Sequence, residues 1–307
     1  MKPKVIVITG ATAVGKTEIA RILLEICPEL VFISCDSRKV YRFMDIGTAK
    51  PPTDLRPHYR LIDIRTPDKT YSAQEFAIDA EREIEIALQE NKFPIVIGGT
   101  VLYLKALFEG FFESPPIDPE IRAELEEELR RKGSVALHEE LKKVDPETAA
   151  KVHPHDWIRI TRALEVYRQF GKPISQLRRE SRRQPKFEPN YFFVHLPRIE
   201  LYERINRRVD RMMELGFLDE VKKLLEMGYD LRYPSMNTLG YRELALHLQG
   251  RMSLETAVRL TKKRTRIFAR RQIRFARQLR DIKFVEKREA VEILKQLVKT
   301  LCPPAHA

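Results

Sequence analysis

Cysteine and tryptophan are scarce in this 307-residue sequence, which holds three of the first, Cys27, Cys35 and Cys302, and one of the second, Trp157. No two cysteines have the close spacing of a zinc site or a redox dithiol, and so few thiols fit a reducing compartment. Long apolar runs are missing too. Val5-Ile6-Val7-Ile8 is too short for a signal peptide, and nothing later has the length to span a bilayer. The chain is read as cytoplasmic, without a membrane partner, and a monomer is expected. Repeats and low-complexity tracts are also lacking. With 43% hydrophobic and 33% charged residues the chain can close a core, which excludes a disordered or fibrous protein. Acidic residues are outnumbered, 44 against 56 Lys and Arg, a formal charge of +12. That excess favours a polyanionic partner, either a nucleic acid or a phosphate-rich small molecule.

What is present has the rhythm of an α/β protein. The β-branched run Val5 to Ile8 ends at Thr9-Gly10 and reads as a buried parallel strand, followed by helical spacing over 17–26. Val31 to Cys35 reads as a second strand ending at Asp36, and Leu61 to Ile64 as a third. Ser72 to Glu90 reads as a capped helix, and Pro94 to Ile97 as a strand closing on Gly98-Gly99-Thr100. Strands alternating with helices predict a doubly wound parallel sheet with its site at the carboxyl ends of the strands. From Pro115-Pro116 the chain becomes charged and helical, over 121–131, 135–143 and 158–170, with Trp157 assigned to packing. Strand-like composition returns at Tyr191 to Leu196, and the rest reads as helix. The expected organisation is a core over 1–114, a helical insertion over 115–188, and a second part of the core over 189–307.

Between Arg259 and Arg280 stand ten basic residues and no acid. Arg259, Lys263, Arg266, Arg270, Arg274 and Arg277 share one helix face. A solvated face is one reading. The absence of interleaved Glu favours nucleic-acid contact, because a merely soluble helix normally offsets like charges with partners four residues away.

The chemistry begins at Gly10-Ala11-Thr12-Ala13-Val14-Gly15-Lys16-Thr17, which matches the phosphate-binding loop pattern between a buried strand and a helix. Its glycines let backbone N–H groups face an anion, Lys16 offsets the charge, the helix N-terminus adds its dipole, and Thr17 can ligate Mg²⁺. The core is therefore expected to be P-loop NTPase-like, binding a polyphosphate such as ATP or a diphosphate. Asp36, at the end of a buried strand, is a metal ligand, a base that orients a nucleophile, or a turn residue bonded to its own backbone.

Several blocks carry a resemblance. Asp36-Ser37 followed by Met44-Asp45-Ile46-Gly47-Thr48-Ala49-Lys50-Pro51, then Gly98-Gly99-Thr100-Val101-Leu102-Tyr103, Arg159-Ile160-Thr161-Arg162-Ala163-Leu164-Glu165 and Gly240-Tyr241-Arg242-Glu243 resemble, in order and spacing, the bacterial tRNA dimethylallyltransferases. The resemblance covers nearly the whole chain. It implies transfer of a dimethylallyl group from dimethylallyl diphosphate to the exocyclic amine of the adenosine beside the anticodon. The phosphate loop would hold the diphosphate and Asp36 would accept the amine proton, help typically worth roughly 10²–10⁴ in rate. Lys16, Thr17 with Mg²⁺, and Arg208 would stabilise the leaving group.

For the tRNA anticodon stem-loop the resemblance implies Asp36, Ser37, Arg38, Lys39, Thr100, Arg122, Ile158, Arg159, Ile160, Thr161 and Arg162, to which the basic stripe adds Arg266 and Arg270. The target base would have to be extruded from its stack. Thr100 reads equally as a helix cap, and Arg122 as part of a capping turn after Asp118. The chain departs from the family pattern at Ala11 and Val14, at Lys39 in place of Gln, and at Arg274 and Phe275 in place of Thr and Trp. Two other functions share the phosphate loop: a small-molecule kinase using ATP, which would not need the basic stripe, and a non-catalytic RNA-binding protein, which would show no chemistry.

Overall fold

A computed structural model describes residues 2–110, 117–180 and 183–302. The chain forms two compact units, Met1–Glu109 with Pro185–Ala307, and Gly110–Gln184. The Pro115-Pro116 junction expected from sequence lies outside the described residues.

The larger unit begins with β1 (Lys4–Gly10), α1 (Lys16–Leu24), β2 (Leu30–Cys35), β3 (Tyr59–Arg60), α2 (Ala73–Gln89), β4 (Phe93–Gly98) and α3 (Val101–Glu109). The helical unit holds α4 (Pro119–Val144), α5 (Pro146–Ala149), α6 (Trp157–Phe170) and α7 (Ile174–Glu180). The chain then returns through β5 (Glu188–His195), α8 (Arg198–Glu214), α9 (Phe217–Glu226), α10 (Tyr241–Leu248), α11 (Leu254–Ala276), β6 (Lys283–Glu286) and α12 (Lys287–Leu301).

The strands form one sheet in the order β3-β2-β4-β1-β5-β6, every neighbouring pair parallel. Helices cover both faces, so the inner strands are buried on both sides and their apolar runs are continuous. Val7, Ile8, Phe32, Ile33, Ile95 and Val96 are fully buried; each such side chain contributes about 1.5–3 kcal/mol by leaving water. The strand order has a functional consequence. Because β4 lies between β1 and β2, Gly98 pairs with Thr9 on one side and Cys35 on the other. The three segments that follow, the phosphate loop, Asp36 and Gly99-Thr100, therefore emerge side by side at the topological switch point.

Two expectations are corrected, and one is refined at its break. The third strand is Tyr59–Arg60 rather than Leu61 to Ile64, because Leu61 (φ 61°) and Asp63 (φ 57°) take left-handed backbone that cannot continue a strand. The two helices expected over 121–131 and 135–143 are both present within α4, separated by a kink at Gly133, whose φ of 77° is non-helical. The C-terminal part is not all helical, since β6 adds an edge strand beside β5.

In the helical unit, Leu125, Leu137, Leu141, Ile160 and Leu164 make the core. Three of its four helices start at aspartate caps: Asp118 accepts from Glu120 N–H, Asp145 from Thr148 N–H and Asp156 from Arg159 N–H. Among the described residues, no helix is long and apolar enough to cross a membrane.

Candidate active site

The phosphate loop leaves β1 and turns into α1 through Ala13 (φ 67°) and Gly15 (φ 100°). Gly15 occupies the left-handed region that glycine enters at little cost, and the turn gathers N–H groups at the helix start into an anion-binding nest. Lys16 Nζ donates to the Gly10 and Ala11 carbonyls at 2.8 and 2.9 Å, so the ammonium is folded over its own loop.

One cleft is lined by Thr12, Ala13, Gly15, Lys16 and Thr17 together with Asp36, Ser37, Arg38, Lys39, Thr100 and Arg208. Asp36 Oδ1 accepts from the backbone N–H of Arg38 at 2.9 Å and of Lys39 at 3.4 Å. The turn reading of Asp36 is thus realised on one carboxylate oxygen, and the same side chain lines the cleft. Thr100 does not cap α3 with its side chain: its Oγ1 accepts from Ser37 N–H at 3.1 Å and pins the Asp36-Ser37 turn to the end of β4.

Among the arginines of α8, the register is set by contact. Arg208 reaches the loop, donating to Thr12 Oγ1 at 3.2 Å, while Arg204 donates to the Ala13 carbonyl at 3.1 Å and Arg211 pairs with Glu214.

The electrostatics of the cleft are lopsided. Burial, followed by the neighbouring charges of Lys39 and Arg208, lowers the Lys16 ammonium to about 7, with Asp36 acting in the opposite sense. Burial also lowers Lys39 and Arg208, again with Asp36 as an opposing charge. Three crowded cations with one carboxylate form a site that a multiply charged anion relaxes. Thr17, at the first turn of α1, and Asp36 offer hard oxygen donors of the kind that suit Mg²⁺ bound to phosphate oxygens. The lining also includes the apolar Val209, Met212, Phe217, Leu239 and Phe268, interspersed with Thr238, Thr261 and Thr265.

The whole set matches known proteins. The family model for IPP transferase matches residues 39–279. The tRNA dimethylallyltransferase of Thermotoga neapolitana is 43% identical over 307 residues, covering 96% of this chain and 98% of that protein. That of Geobacter sulfurreducens is 43% identical over 288 residues, 93% and 92% of the two chains. The chain belongs to the IPP transferase family. Solved structures agree: the tRNA isopentenylpyrophosphate transferase of Bacillus halodurans superposes with a TM-score of 0.70 at 32% identity, covering 98% of this chain and 97% of that one. A eukaryotic dimethylallyltransferase acting on tRNA gives 0.76 at 28% identity, covering 92% and 74%.

Within this IPP transferase, the run Met44 to Pro51 is tied into the fold, and its Gly47, Thr48 and Ala49 also line the cleft. The buried Lys50 donates to the Tyr41 carbonyl and Asp45 Oδ1 at 2.6 Å each, and to Asp63 Oδ1 at 2.5 Å. The Glu220 carboxylate, on α9, accepts from the successive N–H groups of Asp45, Ile46 and Gly47, and from the Tyr241 hydroxyl at 2.6 Å. Glu243 accepts from Gly240 N–H at 2.7 Å and pairs with Arg264. Sequence reasoning assigned none of these roles. Nor did it assign Gln272, whose carboxamide accepts from Thr12 N–H at 2.9 Å and donates to the Gly99 carbonyl at 3.0 Å. A Cβ at position 99 would sit 2.4 Å from Gln272 Nε2, so a larger residue there would displace the carboxamide from its bonds.

The residues expected against RNA separate into two groups. In the helical unit, Arg122 and Arg162 both pair with Glu165, at 3.1 and 3.2 Å, which fixes the two guanidinium groups. Ile158 and Arg159 are exposed. Ile160 is fully buried, and Thr161 is buried with its hydroxyl donating to the Trp157 carbonyl at 2.8 Å. Those two side chains serve the core, which corrects their assignment to the RNA surface. Trp157 is also corrected, being 51% exposed rather than packed. On α11, Arg259, Lys263, Arg270, Arg274 and Arg277 are exposed or partly so. Arg266 leaves the stripe: it donates to Asn206 Oδ1 at 2.6 Å and lies over the Tyr202 ring.

Proposed function

We propose that this IPP transferase moves the dimethylallyl group of dimethylallyl diphosphate to the exocyclic N6 amine of the adenosine on the 3′ side of the tRNA anticodon, releasing diphosphate. One observation carries the reading: Lys16, Lys39 and Arg208 crowd one cleft with Asp36 as the opposing charge.

The diphosphate sits on the phosphate loop, with Lys16 and Arg208 taking up the charge that develops on the leaving oxygen. The Thr17 hydroxyl would help to hold Mg²⁺, which would supply further charge neutralisation. The apolar side chains of Val209, Met212 and Phe268 receive the hydrocarbon group and keep water from the reacting carbon. The adenine amine is a weak nucleophile because its lone pair is delocalised into the ring. As the N–C bond forms and the C–O bond to diphosphate breaks, the amine proton passes to the Asp36 carboxylate, whose turn is pinned by Thr100. A base in a stacked anticodon loop reaches this carboxylate only after extrusion, with Arg38 and Lys39 on its flank. Arg122, Ile158, Arg159 and Arg162 of the helical unit, with Arg270 of α11, hold the stem-loop. With tRNA as its substrate, the protein is read as cytoplasmic and, as expected from the sequence, monomeric.

The test is incubation with dimethylallyl diphosphate, Mg²⁺ and unmodified tRNA, followed by mass analysis of the nucleosides. The reading expects one adenosine per tRNA to gain a dimethylallyl group. Unmodified nucleosides, or phosphate transfer from ATP to a small molecule instead, would overturn it.

A further inference from the structure

Two of the three cysteines converge on a single carboxylate from opposite ends of the chain. Cys27 follows α1, and its carbonyl accepts from Leu30 N–H at 3.3 Å, a tight turn that sets Glu29 beside it. Cys302 directly follows α12, its N–H bonded to the Val298 carbonyl at 2.9 Å. Both thiols donate to the same oxygen, Glu29 Oε2, Cys27 Sγ at 3.5 Å and Cys302 Sγ at 3.3 Å. The three potential ligand atoms all lie within 4.8 Å of one another.

That spacing has a chemical meaning. A tetrahedral zinc-type ion, with metal–sulfur distances of about 2.3 Å and metal–oxygen distances of about 2.0 Å, separates its sulfur and oxygen ligands by about 3.5 Å. Both sulfur–oxygen pairs therefore stand at ligand separations before any ion arrives. Cys27 is buried, Cys302 partly exposed and Glu29 exposed, so the cluster has a shielded sulfur end, an entry path and a fourth position that water can fill. A disulfide between the same thiols would strip Glu29 of both its donors, whereas a cation uses all three groups.

We propose that Cys27, Glu29 and Cys302 form a structural site for a thiophilic divalent cation of the zinc type. On binding, each thiol gives its proton to solvent and the thiolates and carboxylate ligate the ion. The ion then fastens α12 to the turn between α1 and β2. This turn precedes β2, whereas Asp36 follows it, so the site lies at the opposite end of the strand from the cleft and is independent of the transfer chemistry.

The test uses the full chain, reduced and stripped of metal, titrated with Co²⁺ and then Zn²⁺. About one equivalent of Co²⁺ is expected to produce thiolate-to-cobalt charge-transfer absorption and the visible bands of a tetrahedral ion, both removed by Zn²⁺. Zn²⁺ should also raise the thermal midpoint. Cys302→Ser should lose the charge-transfer band, and Glu29→Gln should bind about ten-fold more weakly or worse. Both changes are at solvent-accessible positions, so both variants should fold and keep wild-type prenyl transfer. An absent band in the wild type, an unchanged band in Cys302→Ser, or a Cys27–Cys302 disulfide in freshly isolated protein would overturn the proposal.

Discussion

Gln272 and Thr12 are joined by a hydrogen bond of 2.9 Å from the loop N–H to the side-chain oxygen, and the same carboxamide holds the Gly99 carbonyl at 3.0 Å. The basic helix α11 is thereby tied to both the phosphate loop and the Gly99-Thr100 turn. Gln272→Ala leaves two backbone groups without these partners, at about 1–3 kcal/mol each. The expected outcome is a raised KM for dimethylallyl diphosphate with tRNA affinity less affected. Gln272→Glu still accepts from Thr12 but cannot, as a carboxylate, donate to Gly99, and should fall between the wild type and Gln272→Ala. Steady-state kinetics with both substrates varied checks this.

Lys16 gives a signed pH prediction. Its proton affinity in the free protein is lowered to about 7, first by burial and then by the Lys39 charge. A bound diphosphate favours the ammonium form, so binding must take up a proton where the free lysine is neutral. Uptake of about one proton is expected at pH about 8, vanishing by pH about 6, where the group is already charged. Calorimetry of diphosphate binding in buffers of different ionisation enthalpy measures it. Lys16→Arg should remove its share.

The loop and the carboxylate were legible in the sequence because each depends on local signals. Gly10 and Gly15 bracket a turn after an apolar run, and Asp36 ends another, so the parallel sheet fixes where both must point. Gln272 was not legible. It touches Thr12 across 260 residues and looks like one more polar position in a basic helix. Strand β6 escaped because only Val285 of its four residues is buried, leaving no apolar run to read. Arg266 fitted the stripe by spacing, and only the fold shows Asn206 within its reach. Trp157 was assigned by residue type, yet it sits at the first position of α6, on an open face.

The division within the stripe is testable. Replacing Arg270 and Arg274 should reduce the slope of log affinity for tRNA against log salt by about 0.7–0.9 for each phosphate that the protein no longer neutralises. Replacing Arg266 should instead lower thermal stability while leaving the slope near wild type. Filter binding over a range of salt, with thermal unfolding of the same variants, separates the two effects.

In the helical unit, Asp145 should contribute to acid sensitivity alongside Glu128, whose carboxyl is lowered to about 2 by hydrogen bonds from Arg168 and Lys132. Burial pushes the Asp145 carboxyl up, but N–H and hydroxyl groups of Ser175 and Thr148 outweigh it and hold the carboxyl below the usual aspartate range. A carboxyl lowered in the folded state stabilises it above the ordinary range, and that contribution disappears as pH falls through the lowered value. Asp145→Asn should therefore lose stability at neutral pH and show a smaller further loss between pH about 5 and pH about 2 than the wild type. Denaturant titrations at several pH values check the sign.

The role of Asp36 is tested most directly by the single-turnover rate of Asp36→Asn. An asparagine keeps the oxygen that accepts from Arg38 N–H, so the turn survives while the base is lost. Dimethylallyl transfer is expected to slow by about 10²–10⁴, with diphosphate affinity unchanged or tighter, since one negative charge has left the cleft, and tRNA affinity within a few-fold of wild type. A variant that transfers the group at the wild-type rate would contradict the account.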